Sequence, residues 1–356
     1  MVINLAEDEV VEAGFAGDRR PRAALPGLRR RGRDRGRLAE SVADALRDAY
    51  RSLGVASRTQ PLLLADAGAD DPLRPHLAAL AFAEFKVPAL QICDAAAAAL
   101  RLSGKESGAV CLIGDAQTTV AALQDGVRLP GAIDLPLGGR HVGEALAELL
   151  RVRGIELDAA ATRAARAALR KIGFVALDYD EELRPRPTVA LDYDEELRPR
   201  PTAALDYDEE LRPAVRRAPL ALPGGAAVSL GTERFQAPEV LFRPSLLGLE
   251  QEGIHKAVQA LIEGAAPALR GALLGNVVVA GKGSMIADID KRLAHELAAL
   301  GPDAMTIEVV APSIREHAVF IGAAELADAA AADAWRTREA YDEAGPATPR
   351  GAPRRG

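Results

Sequence analysis

Short apolar runs alternate with stretches of helical period along most of the chain. The stretch "LAESVADALRDAYRSL" places five apolar residues on one face of a helix, namely Leu38, Val42, Leu46, Tyr50 and Leu53. Four other apolar runs have the length of buried strands: "PLLLAD" (61–66), "AVCLIG" (109–114), "TTVAAL" (118–123) and "NVVVAG" (276–281). Because helical and strand-like patterns alternate, the sequence predicts an α/β fold.

Two further stretches have a defined local structure. "QDGV" (124–127) joins two strand-like runs through Asp125 and Gly126, a pair typical of a tight β-hairpin. "GGRHVGEALAELLRVRG" (138–154) predicts a helix that begins after glycine and carries Leu146, Leu149 and Leu150 on its apolar face.

Length and composition restrict the class of protein. A chain of 356 residues with 49% hydrophobic residues is long enough for about two folded domains. It contains no apolar run approaching about 18 residues and no basic start followed by an apolar segment. We therefore expect no membrane insertion, no secretion signal and a cytoplasmic location. Cys93 and Cys111 lie in apolar runs and are expected to be buried thiols, and the five histidines show no metal-ligand spacing.

A repeated acidic segment carries the charge imbalance. "VALDYDEELRPRPT" occurs at 175–188 and again without change at 189–202, and "AALDYDEELRP" follows at 203–213. Proline prevents "RPRP" from lying inside a helix or a central strand. The three copies are either an acidic binding loop or, as we favour, a duplicated insertion on the surface, with the first copy in the structured position.

The opposite charge accumulates between Arg19 and Arg37. Nucleic-acid binding is one interpretation of this basic run. However, glycine and proline interrupt it and no aromatic residues are interleaved, which favours a solvated loop. No nucleic-acid partner is expected.

Several strings together resemble actin and the actin-related proteins. They are "AGFAGD" (13–18), "VALDY" (175–179), "GTERFQAPEVLFRPSLLGLEQEGIH" (231–255), "FIGAAELA" (320–327) and "EAYDEAGP" (339–346). Their order and spacing match that family from residue 2 to about 346, closer to eukaryotic-type actin than to the distant bacterial relatives. The resemblance implies an actin-like two-lobe ATPase fold, built from duplicated ribonuclease-H-like domains, with nucleotide in the cleft.

The resemblance also implies a division of the chain. Residues 1–135 would form the first lobe, with its small subdomain reduced to about 28–56 and largely missing. Residues 136–315 would form the second lobe, including the repeats at 175–213. Residues 316–346 would return to the first lobe, and 347–356 would be a basic tail. The missing subdomain carries the loop with which actins grip the next subunit.

The first phosphate-binding hairpin departs from the family pattern. Leu5, Ala6, Glu7, Asp8 and Glu9 stand where the family has a glycine-containing turn, and Glu12 replaces its lysine. A carboxylate about 5 Å from a phosphate costs roughly 3 kcal/mol at an effective dielectric of about 20. We expect repulsion of a triphosphate unless these side chains turn outward or recruit magnesium. The alternative is that the hairpin is kept only as scaffold.

The second phosphate-binding hairpin, "LIGDAQTT" (112–119), is half kept. Gly114, Asp115 and Thr118 match the family, and Asp115 is the candidate for orienting water or for holding magnesium through water. The family's leading aspartate is Leu112. The glutamine that positions the attacking water aligns with Ala95, and Asp94 would replace it only if the register slips by one residue.

The adenosine motif is recognisable in "VVVAGKGSM" (277–285). It predicts a strand, a glycine turn and a helix starting at Ser284, with nucleotide-binding roles for Gly281, Lys282, Gly283, Ser284 and Met285. Lys282 adds a charge that could partly replace the lost lysine. On the other wall Arg170 and Lys171 replace the family's Glu-Lys pair.

The resemblance finally implies function. The leading hypothesis is a cytoskeletal protein that assembles with itself into filaments, binds ATP or ADP with magnesium and hydrolyses ATP slowly, with possible cytoskeletal regulators as partners. The alternative is a non-hydrolysing scaffold or binding subunit, and a metabolic kinase on the same fold is disfavoured. Leu246, Leu247 and Leu249 align with a filament loop and are either core or assembly contacts.

Overall fold

The computed structural model describes residues 1–6, 10–28, 35–66, 74–183, 217–222, 227–300 and 306–344. Within them the strands are β1 Val2–Asn4, β2 Val10–Gly14, β3 Ala23–Pro26, β4 Leu62–Asp66, β5 Ala89–Asp94, β6 Gly108–Ile113, β7 Thr118–Gln124, β8 Val127–Arg128, β9 Ile133–Leu135, β10 Ala218–Ala221, β11 Ala227–Leu230, β12 Val277–Ala280, β13 Val309–Val310 and β14 Arg336–Thr337.

The described residues also form α-helices. They are α1 Arg35–Leu53, α2 Arg74–Ala79, α3 Ala95–Leu100, α4 Gly139–Val152, α5 Ala159–Ile172, α6 Tyr179–Leu183, α7 Glu233–Gln236, α8 Ile254–Gly264, α9 Pro267–Leu274, α10 Ile289–Leu300, α11 Ala318–Ala329 and α12 Arg338–Ala344. Short 3₁₀ turns include Pro244–Leu247, Lys282–Ser284 and Arg315–His317.

Two large sheets share one topology. The first has the order β14-β5-β4-β1-β2-β3, and the second has β13-β12-β6-β7-β8 with β9 also paired to β7. In each sheet an antiparallel hairpin continues to a third antiparallel strand, and two parallel strands lie beside the hairpin's first strand. The strands β3-β2-β1-β4-β5 of the first sheet thus correspond in order and direction to β8-β7-β6-β12-β13 of the second. This repeated order agrees with the duplicated α/β architecture that the resemblance implies.

Contacts divide the chain into two compact units. The first comprises Met1–Gly139, Ile254–Met285 and Glu296–Gly356, and it contains both large sheets. The second comprises Arg140–Gly253 and Ile286–His295, and it contains the two-stranded sheet β10-β11. The lobe boundaries expected from the resemblance remain a prediction.

The first unit has two apolar cores. One lies between the first sheet and α1, with Val42, Leu46 and Phe82 completely buried. The other combines residues of both sheets with α3 and α11. Those two helices touch at the backbone, because a Cβ placed on Gly322 would overlap the carbonyl of Ala98. Alanine and glycine therefore set the close approach of α3 and α11.

The predictions of two helices and one hairpin from sequence pattern are confirmed. Helix α1 buries Val42, Leu46 and Tyr50, with Leu38 and Leu53 partly buried beside them. The hairpin β7-β8 turns through Asp125 and Gly126, both with positive φ. Helix α4 buries Leu146 and Leu150, and Leu149 is half-buried.

Other expectations have a mixed outcome. Residues 27–61 hold α1 and a 3₁₀ turn among the described residues, consistent with a reduced small subdomain. The first repeat copy is ordered through Leu183. Residues 29–34 of the basic run, the later repeat copies and the tail 347–356 lie outside the described residues. None of the helices in the described ranges has the length and apolar character needed to cross a bilayer.

Candidate functional site

The hairpins β1-β2 and β6-β7 occupy corresponding places in the two sheets. The turn of the first begins with Leu5, which is 1% exposed and whose amide donates to the carbonyl of Ala65 at 2.9 Å. Ala6 donates its amide to Asn4 Oδ1 at 3.0 Å. Glu7, Asp8 and Glu9 lie outside the described residues, so their proposed opposition to phosphate stays a prediction. The start of this turn is part of the core.

Glu12 is a buried carboxylate with basic side chains beside it. It lies on β2 opposite Asn4 and is 1% exposed. Its Oε1 is 2.7 Å from His317 Nδ1 and 3.5 Å from Lys282 Nζ, and Asn4 Nδ2 donates to its Oε2 at 3.4 Å. The sequence predicts that this hairpin repels a triphosphate unless its acidic side chains turn outward or recruit magnesium, and the alternative is a hairpin kept only as scaffold. In the structure, Glu12 points inward and two basic side chains of the protein face it.

The glycine turn after β12 packs directly against the second hairpin. Gly281 has a φ of 91°, and a Cβ at Gly281 or Gly283 would overlap the carbonyls of Ile113 and Gly114. The amide of Gly139 also donates to Gly114 O at 2.9 Å. The chain thus brings the candidate residues Gly114, Gly281, Lys282 and Gly283 together, and the glycines permit backbone contact between the turns.

The helix predicted to follow this turn begins later than expected. Lys282–Ser284 form a 3₁₀ turn, and α10 starts at Ile289 after Asp288, whose φ is 62°. A residue with positive φ interrupts a right-handed helix, so the two turns remain separate elements. The helix N-terminus expected at Ser284 is therefore not at the glycine turn. Ser284 is buried and its hydroxyl donates to Gly281 O at 2.6 Å, while Met285 is half-buried.

Arg315 adds a second cation beside the glycine turn. Its Nε and Nη2 donate to Ser284 O at 3.2 and 3.0 Å, and Gly281 donates its amide to Arg315 O at 2.9 Å. Sequence reasoning missed Arg315 and treated His317 only as a surface or core histidine. No spacing pattern identifies either residue, since their partners lie far away in the chain.

The second hairpin keeps its backbone turn and uses its threonines internally. Gly114 donates its amide to Gln117 O at 2.9 Å, which closes the turn around half-exposed Asp115. Thr118 is completely buried, and its hydroxyl donates to Leu137 O at 2.7 Å. Thr118 therefore fixes the strand, and Asp115 is the acidic side chain of this turn that reaches the surface.

Asp94 is committed to structure. Its carboxylate accepts the amides of Ala96 and Ala97 at the start of α3, at 2.8 and 3.1 Å. Arg128 donates to the same carboxylate through Nε at 2.7 Å and Nη2 at 3.1 Å. These four hydrogen bonds fix the carboxylate as the N-terminal cap of α3 and as the partner of Arg128. The replacement of the glutamine at Ala95 by Asp94 remains a prediction, and in this structure the Asp94 side chain has a structural task.

The remaining candidates lie in the second unit. Arg170 is half-buried and Lys171 exposed, both at the end of α5. Leu246 is 49% exposed on the 3₁₀ turn Pro244–Leu247, while Leu247 and Leu249 are half-buried. Leu246 is thus not a core residue of this unit.

The donor set of the first unit can be compared with that needed for a magnesium nucleotide. Within the described ranges, no group of three or more His, Cys, Asp or Glu side chains could hold a metal ion. Magnesium in nucleotide sites commonly takes one or two carboxylates and completes its shell with phosphate and water oxygens. Asp115 would supply one such carboxylate, and Lys282 and Arg315 would supply positive charge at the glycine turn. These residues fit the group.

The comparison with protein families decides the assignment. The Actin family model matches residues 39–349. The chain belongs to the actin family. The match includes the hairpin β6-β7 and the glycine turn, and it begins within α1, after the hairpin that carries Glu12. Actin-family domains generally bind ATP or ADP with magnesium.

Proposed function

We propose that this actin-family chain binds an adenine nucleotide at the glycine turn, assembles with itself into filaments and hydrolyses ATP slowly. The main support is the charge match around Glu12. Lys282 Nζ lies 3.5 Å from the carboxylate and His317 Nδ1 lies 2.7 Å from it. A lysine as close to a phosphate as Glu12 offsets a repulsion of roughly 3 kcal/mol. The replacement of lysine by Glu12 therefore does not by itself oppose a nucleotide.

Each residue of the site has a separate task in this proposal. Lys282 and Arg315 hold positive charge at the glycine turn, and Gly281 and Gly283 bring its backbone close to the second hairpin. Asp115 holds a water molecule, either directly or as part of the magnesium shell. Magnesium would neutralise phosphate charge when bound. Met285 is the candidate contact for the adenine, and Arg170 and Lys171 keep the nucleotide-binding role that the resemblance implies.

Slow hydrolysis follows from the replacement at Ala95. The side chain of Ala95 has no polar atom with which to orient an attacking water, and the neighbouring Asp94 is held by Arg128 and by two helix amides. Positioning of the nucleophile is a main contribution to phosphoryl transfer. Asp115 alone is expected to support a low rate.

Filament assembly needs contacts other than those of the missing gripping loop. The exposed side chain of Leu246 is a candidate, since a large apolar side chain on a surface turn gains from burial against a second subunit. We place the filament and its possible regulators in the cytoplasm.

The test is high-speed sedimentation with and without ATP and magnesium, with phosphate release and nucleotide binding followed in the same samples. We expect polymer, bound nucleotide and slow phosphate release. Leu246→Ser should reduce the polymer without altering nucleotide binding. Absence of polymer under every nucleotide condition contradicts the filament proposal, and Asp115→Ala with unchanged phosphate release contradicts the role of Asp115.

The second candidate is a non-hydrolysing actin-related scaffold. It is favoured by the internal use of Glu12, Asp94 and Thr118, each of which satisfies a structural partner. Nucleotide binding without any phosphate release in the same samples would select this candidate.

A further inference from the structure

The first repeat copy, residues 175–183, is held by a docking site in the second unit. Val175 donates its amide to Ala287 O at 2.9 Å, and Arg292 Nη1 donates to Ala176 O at 2.6 Å. Both Val175 and Ala176 are buried, at 1% and 5% exposed. Two backbone bonds therefore fix the start of copy 1.

Side chains of copy 1 make the second set of contacts. Tyr179 is 8% exposed, and its ring meets Phe235 edge-on at 6.0 Å between centroids. The guanidinium of Arg243 lies over the same ring at 5.2 Å and pairs with both carboxylate oxygens of Asp180, at 3.0 and 2.9 Å. Tyr179 and Asp180 are thus the recognised side chains.

The docking site has internal support that does not depend on copy 1. Glu239 is completely buried and accepts from Arg292 Nη1 and Nη2 at 3.0 and 2.9 Å. It also lies 3.2 Å from Arg243 Nε. Both arginines that hold copy 1 are therefore positioned by one carboxylate from outside the repeat.

Copy 1 is open on its other side. Residues of copy 1 line a pocket of about 560 Å³ together with Arg234, Asp288 and Lys291. Leu177 is 51% exposed, and α6 contains five residues. The segment also completes an apolar cluster in which Ala176, Tyr179 and Phe235 are buried, so its departure would expose Phe235 unless another segment takes its place.

The sequence supplies a second occupant for this site. Residues 189–197 repeat "VALDYDEEL" without change, so Tyr193 and Asp194 correspond to Tyr179 and Asp180. The preceding residue differs. The ring of Phe174 lies tilted against Phe235 at 5.5 Å between centroids, with the guanidinium of Arg234 over it at 5.4 Å, whereas Thr188 precedes copy 2. Because copy 2 lacks this aromatic contact, we expect the docking site to hold copy 1 in preference to copy 2 by about tenfold.

We propose that copy 2, residues 189–197, exchanges with copy 1 in the same docking site of the same chain. Ala287, Arg292, Phe235 and Arg243 contact residues 175–180, and copy 2 has the same six residues at 189–194. Exchange lengthens the segment before the docking site by 14 residues and shortens the segment after it by 14 residues. The free energy of loop closure depends only weakly on loop length, so Phe174 is the main source of preference. This inference does not depend on nucleotide binding or assembly.

The test uses the full chain with Tyr207→Ala throughout, which removes the tyrosine of the third copy. Tyr179→Ala, Tyr193→Ala and the double variant are compared by hydrogen exchange. Tyr193→Ala alone should change nothing. Tyr179→Ala should raise exchange in residues 286–295 by about tenfold and move amide protection from Val175 to Val189. The double variant should raise that exchange by about a hundredfold or more, because no copy then fills the tyrosine site.

Adding Thr188→Phe to Tyr179→Ala should restore exchange in 286–295 to nearly the original rate. Phe235→Ala, in the docking site itself, should not be rescued by any copy. Equal effects of Tyr179→Ala and the double variant, with no protection at Val189, would overturn the proposal. Rescue that requires high protein concentration would also overturn it, because the second copy would then come from another chain.

Discussion

Replacing Lys282 by methionine tests whether the cation at the glycine turn balances the buried carboxylate. Lys282 is 9% exposed, and Nζ lies 3.5 Å from Oε1 of Glu12, which is 1% exposed. Removing one partner of a buried ion pair typically costs about 3–5 kcal/mol. The 2.7 Å contact with His317 remains in the variant and reduces this cost. We therefore expect Lys282→Met to lower the free energy of unfolding by about 2–4 kcal/mol.

The measurement is urea unfolding, followed by circular dichroism, at constant pH and salt. Lys105→Met is the matched control, since Lys105 Nζ lies 2.8 Å from Glu308 in an exposed pair and should cost about 0.5 kcal/mol or less. The double variant Glu12→Gln with Lys282→Met should recover most of the loss, because no uncompensated charge then stays buried. If Lys282→Met costs no more than Lys105→Met, the charge-balance explanation is refuted.

Three further outcomes are expected. Burial raises the pKa of the Cys111 thiol to about 12 and raises the pKa of Cys93 as well. Neither thiol should therefore react with a thiol reagent at pH 8 until urea unfolds the protein. Rapid labelling of the native chain would contradict this expectation. Side-chain hydrogen bonds from Arg22 lower the pKa of Asp18. This carboxylate therefore stabilises the fold above its unfolded pKa of about 3.9, and the contribution is lost as pH falls through the folded pKa. Asp18→Asn should reduce the loss of unfolding free energy at acid pH, and an unchanged loss would exclude the effect. Deletion of residues 189–202 should change the melting temperature by about 1 °C or less, because copy 1 keeps its docking site; a large loss would show that the deleted copy is structural.

The parts of the fold that could be predicted from sequence depend on neighbours in the chain. Helix α1 follows from the spacing of Val42, Leu46 and Tyr50, and the turn at Asp125 and Gly126 follows from the need for positive φ. Each of these patterns lies within a short stretch of sequence. The helix pattern reflects burial of apolar side chains, and the turn pattern reflects the backbone conformation that the hairpin needs. The predicted start of α10 was wrong, because Asp288 has a φ of 62° and separates the glycine turn from the helix that begins at Ile289.

The chemistry of the site was less accessible, since it depends on distant residues. Glu12 is an isolated carboxylate in the sequence, yet His317 and Lys282 meet it from far along the chain. Asp94 had the residue type of a catalytic base but is occupied by Arg128 and by the amides of α3. The sequence shows that a charge is present, whereas only the tertiary structure shows what neutralises it.

The contact between the glycine turn and the second hairpin has a consequence for reading divergent relatives. A Cβ at Gly281 or Gly283 would collide with main-chain atoms of Ile113 and Gly114, whether or not any ligand is bound. The packing of this chain therefore requires glycine at both positions independently of any ligand. The two glycines alone are no evidence of a bound nucleotide, and substitution of the charged residues around them is the better test of binding.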